Sequence, residues 1–291
     1  MNPPESTREF AFARHAAGRG AAWLIEAVRL FSRARLPWLV LVALYFVLMS
    51  LLIEVPYAGP LLAPLLKPVF AVGLLAAAWT QERGGRPKVA DLFNGFRANL
   101  GILMTLGLVY VAGITAAVFA AAVLDGGTLL TLMSTGGNPA AGADKAAAAP
   151  AIEELVRSGE LQWSMLLIAM LAIPTILALW FAPALVVFQD AGVGTALRTS
   201  LRATLANWKP LVVYALAIAG FGVLLPLIVM QFLYLLAPTP VTVVILRYVF
   251  LGYALVLFAT LSIAEYISYR DIFHAGETLT PLAPDQEQDE R

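Results

Sequence analysis

Six long apolar runs organise the chain, at about 36–53, 60–80, 100–124, 163–188, 210–236 and 242–267. At ~1.5 Å of rise per residue, each can cross the ~30 Å of hydrocarbon in a bilayer as a helix. Lipid offers backbone N–H and C=O groups no partner outside the helix's own ladder, so an apolar run of this length predicts a spanning helix. Of the 19 basic and 19 acidic side chains in the sequence, only Lys67, Arg247 and Glu265 fall inside the six runs. The pattern predicts an all-α fold, a polytopic membrane bundle of about six transmembrane helices. The first run begins at Pro37, which the first turn of a helix tolerates because its N–H has no intrahelical use there.

The polar connections divide the chain into an N-terminal segment (1–35), a transmembrane domain (36–267) with a long connection at 125–162, and a C-terminal tail (268–291). Lys and Arg number six in 1–35, four in 81–99, three in 189–209 and two in 268–291, against two in 125–162. Basic residues are retained on the cytoplasmic side, so both termini are expected in the cytoplasm and 125–162 outside. The polar leader is too long for the n-region of a cleavable signal peptide, and the first run is expected to act as an uncleaved signal anchor.

Three of the inner connections place apolar residues at helical spacing just before a span. Trp23, Ala27, Leu30, Phe31 and Ala34 form one stripe, with Arg19, Glu26, Arg29 and Arg33 on another face. Val89, Leu92, Phe93, Phe96 and Leu100 repeat the pattern, as do Leu197, Leu201, Leu205 and Trp208 beside Arg198 and Arg202. Such stretches predict interfacial amphipathic helices lying in the headgroup plane, where Arg29, Arg33, Arg198 and Arg202 meet anionic lipid or simply anchor the helices. Aligning Pro37 with Pro210 pairs Leu24 with Leu197, Val28 with Leu201 and Arg29 with Arg202, the outline of an internal duplication. The outer connection is rich in Gly and Ala, with a short helix expected from Pro150 to before Gly159. The tail, with Asp285, Glu287, Asp289 and Glu290, reads as a solvated acidic end.

Composition narrows the chemistry. The chain is 291 residues long with a formal net charge of zero, 60% apolar and 13% charged residues, and no cysteine. Disulfides and thiolate chemistry are excluded. The two histidines, His15 and His274, lie in polar end segments, which leaves little for a multi-histidine metal centre or an intramembrane imidazole base. Balanced charge gives no footprint for nucleic acid. No catalytic, metal or nucleotide motif is present, and neither an enzyme nor a cofactor is expected.

Several features carry candidate chemistry. Pro56, Pro60, Pro64 and Pro68 recur every four residues; they predict either a partly unwound segment with free carbonyls near Glu54 or an entry turn followed by a kinked helix. Lys67 and Arg247 lie at similar depth, counted from the outer side, so with Glu54 they form a candidate site for a lipid phosphate or another anion, the alternative being that both snorkel to the interface. Glu265, beside Tyr266 and Tyr269, is expected near the inner end of the sixth span as an interface residue, with proton coupling as its functional reading. A lipid-modifying enzyme would need a carboxylate such as Glu54 or Asp125 at the outer interface. Ala112, Ala116 and Ala120, and Ala215, Ala219 and Gly222, form small-residue stripes expected to pack helices together, within one chain or between protomers.

Taken together, WLIEAVRLFSR (23–33), RGGRPKVADLFNGFRAN (83–99), the FAPALVVFQD run from Phe181 and SYRDIF (268–273) resemble an uncharacterised family of bacterial polytopic inner-membrane proteins. The DLFNGFR and SYRDIF elements are its specific part. The resemblance implies an all-helical membrane bundle and supplies no activity. The resulting expectation is a non-enzymatic accessory or lipid-interacting component of the inner membrane, with lipids, a membrane-protein partner or a second copy as its partners. The alternative is a transporter or channel for a small solute or lipid, suggested by the prolines, the two cations and the repeat.

Overall fold

The computed structural model describes residues 10–127, 157 and 159–274, and every regular element among them is helical. Helix α1 (Arg19–Arg33) leads into α2 (Arg35–Ile53), and α3 (Gly59–Glu82) follows after a short turn. A 3₁₀ turn (Val89–Phe93) and the single-turn α4 (Asn94–Arg97) precede α5 (Leu100–Leu124). Next come α6 (Glu160–Leu179), α7 (Ala182–Gln189) and α8 (Val193–Ala206). The chain continues through α9 (Trp208–Ala217), a π-helical segment (Ile218–Leu224), α10 (Leu225–Leu236) and α11 (Pro240–Phe273). Six of these stretches are long and apolar enough to cross a membrane: α2, α3, α5, α6–α7, α9–α10 with its π segment, and α11. Their limits follow the six apolar runs closely, except that α11 continues to Phe273, where Tyr269, Ile272 and Phe273 are still packed in the core.

An even number of spans brings both ends of the described chain to one face of the bundle. There the Ala13 N–H donates to the Ile272 carbonyl at 2.7 Å, and the Phe12 ring meets Phe273 edge-on. We call this the termini face.

Helix α3 is the most buried of the spans and packs on α2, α5, α7 and α11. It also carries the DLFNGFR element on its flank. Gly95 lies so close to the carbonyl of Val69, and Gly73 to the backbone of Leu92, that a Cβ at either position would collide with main chain. Two glycines thus let the 3₁₀ turn and α4 lie flat on α3, with Leu92 wholly buried between them. Asp91 accepts the N–H of Lys88 at 2.8 Å and starts the turn. The proline series does not unwind this span. Pro56 belongs to the preceding turn, where Tyr57 adopts a left-handed φ of 61°, Pro60 sits in the first turn, and the helix runs unbroken through Pro64 and Pro68.

The amphipathic stretches form, but not all as expected. In α1 the stripe of Trp23, Ala27, Phe31 and Ala34 is buried against α9 and α11, facing protein instead of headgroups. In α8 the apolar stripe is turned away from the protein, as an interfacial helix requires: Leu205, and Trp208 just past its end, are exposed and Leu197 and Leu201 half-buried, while Ala196, Thr199, Ser200, Ala203 and Thr204 face the core. A helix bordered by lipid turns its large apolar side chains outward and packs through small and hydroxyl residues. The breaks after α1 and α8 fall at Ala34 and Asn207, positions that the Pro37–Pro210 alignment pairs, so the two helix–break–span units share an outline but not a packing face.

Within the chain, the small-residue line of α5 that packs lies one residue along from the expected stripe. Ala112, Ala116 and Ala120 are exposed, and the packed line is Gly113 against Thr175, then Ala117 and Ala121. In the fifth span only Gly222 packs, against Leu257, while Ala215 and Ala219 are exposed. The helix expected from Pro150 and the acidic tail lie outside the described residues.

Candidate functional site: an intramembrane cleft with two charged ends

Between α2, α3, α5, α6–α7, α9 and α11 lies a cleft of about 430 Å³. Its walls are largely apolar: Leu74, Leu75, Ile176, Leu179, Ile218, Phe258 and Leu261, with Tyr45, Tyr110, Trp180 and Tyr214 supplying aromatic surface. Two charged side chains line it, Lys67 and Glu265.

The Lys67 ammonium donates to the Tyr110 hydroxyl at 3.4 Å and lies 4.8 Å from the centre of that ring. It is exposed and has no ion-pair partner among the described residues. The Glu265 carboxylate has neither a hydrogen-bond nor an ion-pair partner among the described residues, although the Glu265 backbone carbonyl accepts from Ser268. The two charges stand well apart. Glu82 of α3 meets Tyr266 and Arg270 of α11, so Glu265 is level with the last turn of α3, about three to four turns from Lys67, or roughly 18 Å along the axis.

Two irregularities in the helices shape the walls. The first is the break between α6 and α7. Pro183 cannot donate into the ladder, and Ser200 of α8 enters the gap: the Phe181 N–H donates to Ser200 Oγ at 3.0 Å, and Ser200 Oγ donates to the Leu177 carbonyl at 3.0 Å. A hydroxyl thereby stands in for the direct i→i−4 bond between Phe181 and Leu177, which is a recognised cause of a kink. The bend sets Trp180 on the cleft, its ring edge-on to Tyr214 with centroids 6.0 Å apart. The second is the π segment, whose freed Gly222 carbonyl accepts the Tyr253 hydroxyl at 2.8 Å. Helices α6 and α9 both wall the cleft yet scarcely pack on each other, so this side lacks a helix-to-helix seal.

Below the cleft, on the termini face, charged groups clasp α1, α3 and α11 together. Asp271 accepts from Arg19 at 2.5 Å, from Trp23 Nε1 at 3.0 Å and from Arg270 at 2.8 Å. Arg270 also pairs with Glu82 and, at 3.3 Å, with Glu26, while Arg19 reaches Glu26 at 2.7 Å. The Tyr266 hydroxyl donates to Glu82 at 2.6 Å. Burial works against the Arg19 cation, but hydrogen bonds and charge from Asp271 and Glu26 outweigh it, and its pKa is raised. Gln81 adds a neutral link, accepting from Trp38 Nε1 at 2.6 Å and donating to the Leu30 carbonyl at 2.7 Å. These groups satisfy one another, which marks the clasp as architecture.

The sequence-derived candidates are dispersed. Lys67 lines the cleft, whereas Arg247 lines a separate pocket between α10 and α11 with Gln231 and Tyr234. Glu54 is exposed at the end of α2 and lines neither pocket. Asp125 ties the end of α5 to the start of α6, accepting from Gly127 N–H at 2.9 Å and Ser164 Oγ at 2.7 Å. Arg29, Arg33, Arg198 and Arg202 are exposed on α1 and α8. Among the described residues no three His, Asp or Glu side chains are grouped as a metal would require. The aromatic lining of Tyr45, Tyr110, Trp180 and Tyr214 was not evident beforehand. Aromatic residues scattered through apolar runs carry no signal until the spans are assembled.

A probable inner membrane protein of Burkholderia thailandensis is 33% identical over 202 residues, an alignment covering 68% of this chain and 71% of the relative. No family model matches the chain, and no solved structure matches it. The length and depth of that alignment, together with the six membrane-capable helices, show that the chain belongs to the same family of bacterial inner-membrane proteins as this relative.

Proposed function

We propose that the protein is a non-enzymatic, lipid-interacting component of the inner membrane that takes an anionic amphiphile from the bilayer into its cleft. The supporting observation is the cleft itself: apolar walls, a weakly packed side between α6 and α9, and the Lys67–Tyr110 pair as a cationic and hydrogen-bonding end for a phosphate or carboxylate headgroup. In this reading the termini face is cytoplasmic, in keeping with the Lys and Arg count, and Arg29, Arg33, Arg198 and Arg202 lie at the inner headgroup layer.

Native mass spectrometry of the protein extracted with its lipids tests the reading. Wild type is expected to retain a phospholipid that Lys67→Ala loses and Arg247→Ala keeps, because Arg247 lines the other pocket. Wild type stripped of all lipid, or loss with Arg247→Ala alone, overturns it.

A second reading, passage of a solute, is favoured by one feature: the Glu265 carboxyl faces the same cleft within the span region. Flux in proteoliposomes that depends on Glu265 would favour this reading over static lipid binding.

A further inference from the structure

We infer that the Glu265 end of the cleft is a binding site for a hydrophobic organic cation, an ammonium or phosphonium group carried on an apolar body. The inference rests on reading the cleft as a binding site and concerns its opposite end from Lys67.

Glu265 presents a group that, when ionised, can only accept hydrogen bonds, and among the described residues nothing donates to it. A carboxylate kept from bulk water without a counter-charge is costly and is relieved either by a proton or by a cation brought against it, so a bound cation displaces the proton as the group's counter-charge. The neighbouring surface suits such a group. Tyr45, Trp180, Tyr214 and Phe258 line the same cleft, and aromatic faces attract cations electrostatically, most strongly where water is excluded. Tyr45 and Phe258 are stacked at 5.2 Å, and Tyr214 is edge-on to Trp180, so these rings are held by one another before any ligand arrives.

The alternatives fit less well. A hard divalent ion needs about six oxygen ligands, and here one carboxylate stands among apolar and aromatic groups. An anion is repelled by Glu265 and finds its counter-charge only at Lys67, roughly 18 Å away along the axis. The volume of about 430 Å³ falls in the range that holds a drug-sized molecule. The charged and titratable groups lining the cleft are Tyr45, Lys67, Tyr110, Tyr214 and Glu265, so Glu265 is the one carboxyl among them.

The test is equilibrium binding of tetraphenylphosphonium to the full chain in detergent, comparing wild type, Glu265→Gln and Lys67→Ala. Wild type is expected to bind saturably, Glu265→Gln at least tenfold more weakly, and Lys67→Ala no more weakly than wild type. Binding that never saturates, or equal binding by wild type and Glu265→Gln, overturns the inference. Should Glu265→Gln fail to fold, labelling of wild type with dicyclohexylcarbodiimide decides: the probe is expected to protect Glu265 from modification, located by peptide mass spectrometry, and unchanged modification overturns the inference. The lipid reading fails separately. A wild type that retains no phospholipid yet binds the cation removes that reading and leaves this one standing, whereas Lys67-dependent lipid retention with no cation binding does the reverse.

Discussion

The side-chain amide of Asn207 grips the main chain around His15 as a neighbouring strand would. Its Oδ1 accepts the His15 N–H at 2.9 Å, and its Nδ2 donates to the Ala13 carbonyl at 2.9 Å. Asn207 is wholly buried at the break between α8 and α9, so one residue joins the N-terminal segment to the entry of the fifth span. Asn207→Ala leaves both main-chain groups without that partner, a loss of about 1–3 kcal/mol for unsatisfied polar groups. The expected outcome is faster tryptic cleavage at Arg14 and a lower melting temperature in detergent; cleavage as slow as in wild type would show that the segment is held by other means.

Ser200→Ala tests the kink between α6 and α7. Removing the hydroxyl strands the Phe181 N–H and leaves the Leu177 carbonyl with only the longer bond from Thr204 Oγ1 at 3.4 Å, and a destabilisation of about 1–3 kcal/mol is expected. Leu205→Ala on the outward face of α8 is the control, with a change expected within about 0.5 kcal/mol. Equal effects for the two substitutions would mean that α8 does not dock through its hydroxyl face.

Gly95→Ala places a methyl group against the Val69 carbonyl. Main chain cannot yield as a flexible side chain can, and overpacking costs typically about 1–3 kcal/mol, with more expected here. Lower yield of folded protein on size-exclusion chromatography is the expected readout. Phe96→Ala, on a half-exposed neighbour, should be milder.

Arg270→Ala removes one partner each from Glu82, Glu26 and Asp271, which keep Tyr266, Arg19, and Arg19 with Trp23 respectively. Because these groups keep partial access to water, a loss of about 1–2 kcal/mol is expected, short of the figure for a fully buried network. The melting temperature of wild type should fall with added salt more than that of the variant, since screening acts on the clasp that the variant lacks.

The orientation is tested by single cysteines in this cysteine-free chain. Ala140→Cys should react with an impermeant maleimide in intact cells, and Gly85→Cys only after permeabilisation. The opposite pattern would turn the molecule over and with it the proposed side of every charged group.

The spans were legible because lipid and water sort residues over twenty positions at a time, and Lys67 and Glu265 stood out because charge is rare in such runs. That they share one cleft depended on α3 lying beside α11, a tertiary fact with no local signature. Arg247 carried the same local signal as Lys67 and lies in another pocket. Which line of α5 packs within the chain was not legible for a related reason: its sequence is apolar on every side, and small residues occur on two adjacent lines, Ala112–Ala116–Ala120 and Gly113–Ala117–Ala121. Only the neighbouring Thr175 decides between them. The DLFNGFR and SYRDIF stretches lie at joints, DLFNGFR fastening a turn to α3 and SYRDIF supplying Arg270 and Asp271 to the clasp.

The π segment of the fifth span changes how that span is to be counted. A π-bulge amounts to one residue inserted into an α-helix, and one residue is about 100° of helical rotation. The half of the span from Leu225 onward therefore faces a direction that a helical wheel begun at Trp208 assigns wrongly. Ala215, Ala219 and Gly222 look collinear on such a wheel, yet only Gly222, inside the bulge, meets a neighbour. Deleting a single residue between Ile218 and Leu224 would restore α-helical phase and turn the whole half of the span beyond it by about a quarter of a revolution, presenting a new set of side chains to the lipid without altering any of them.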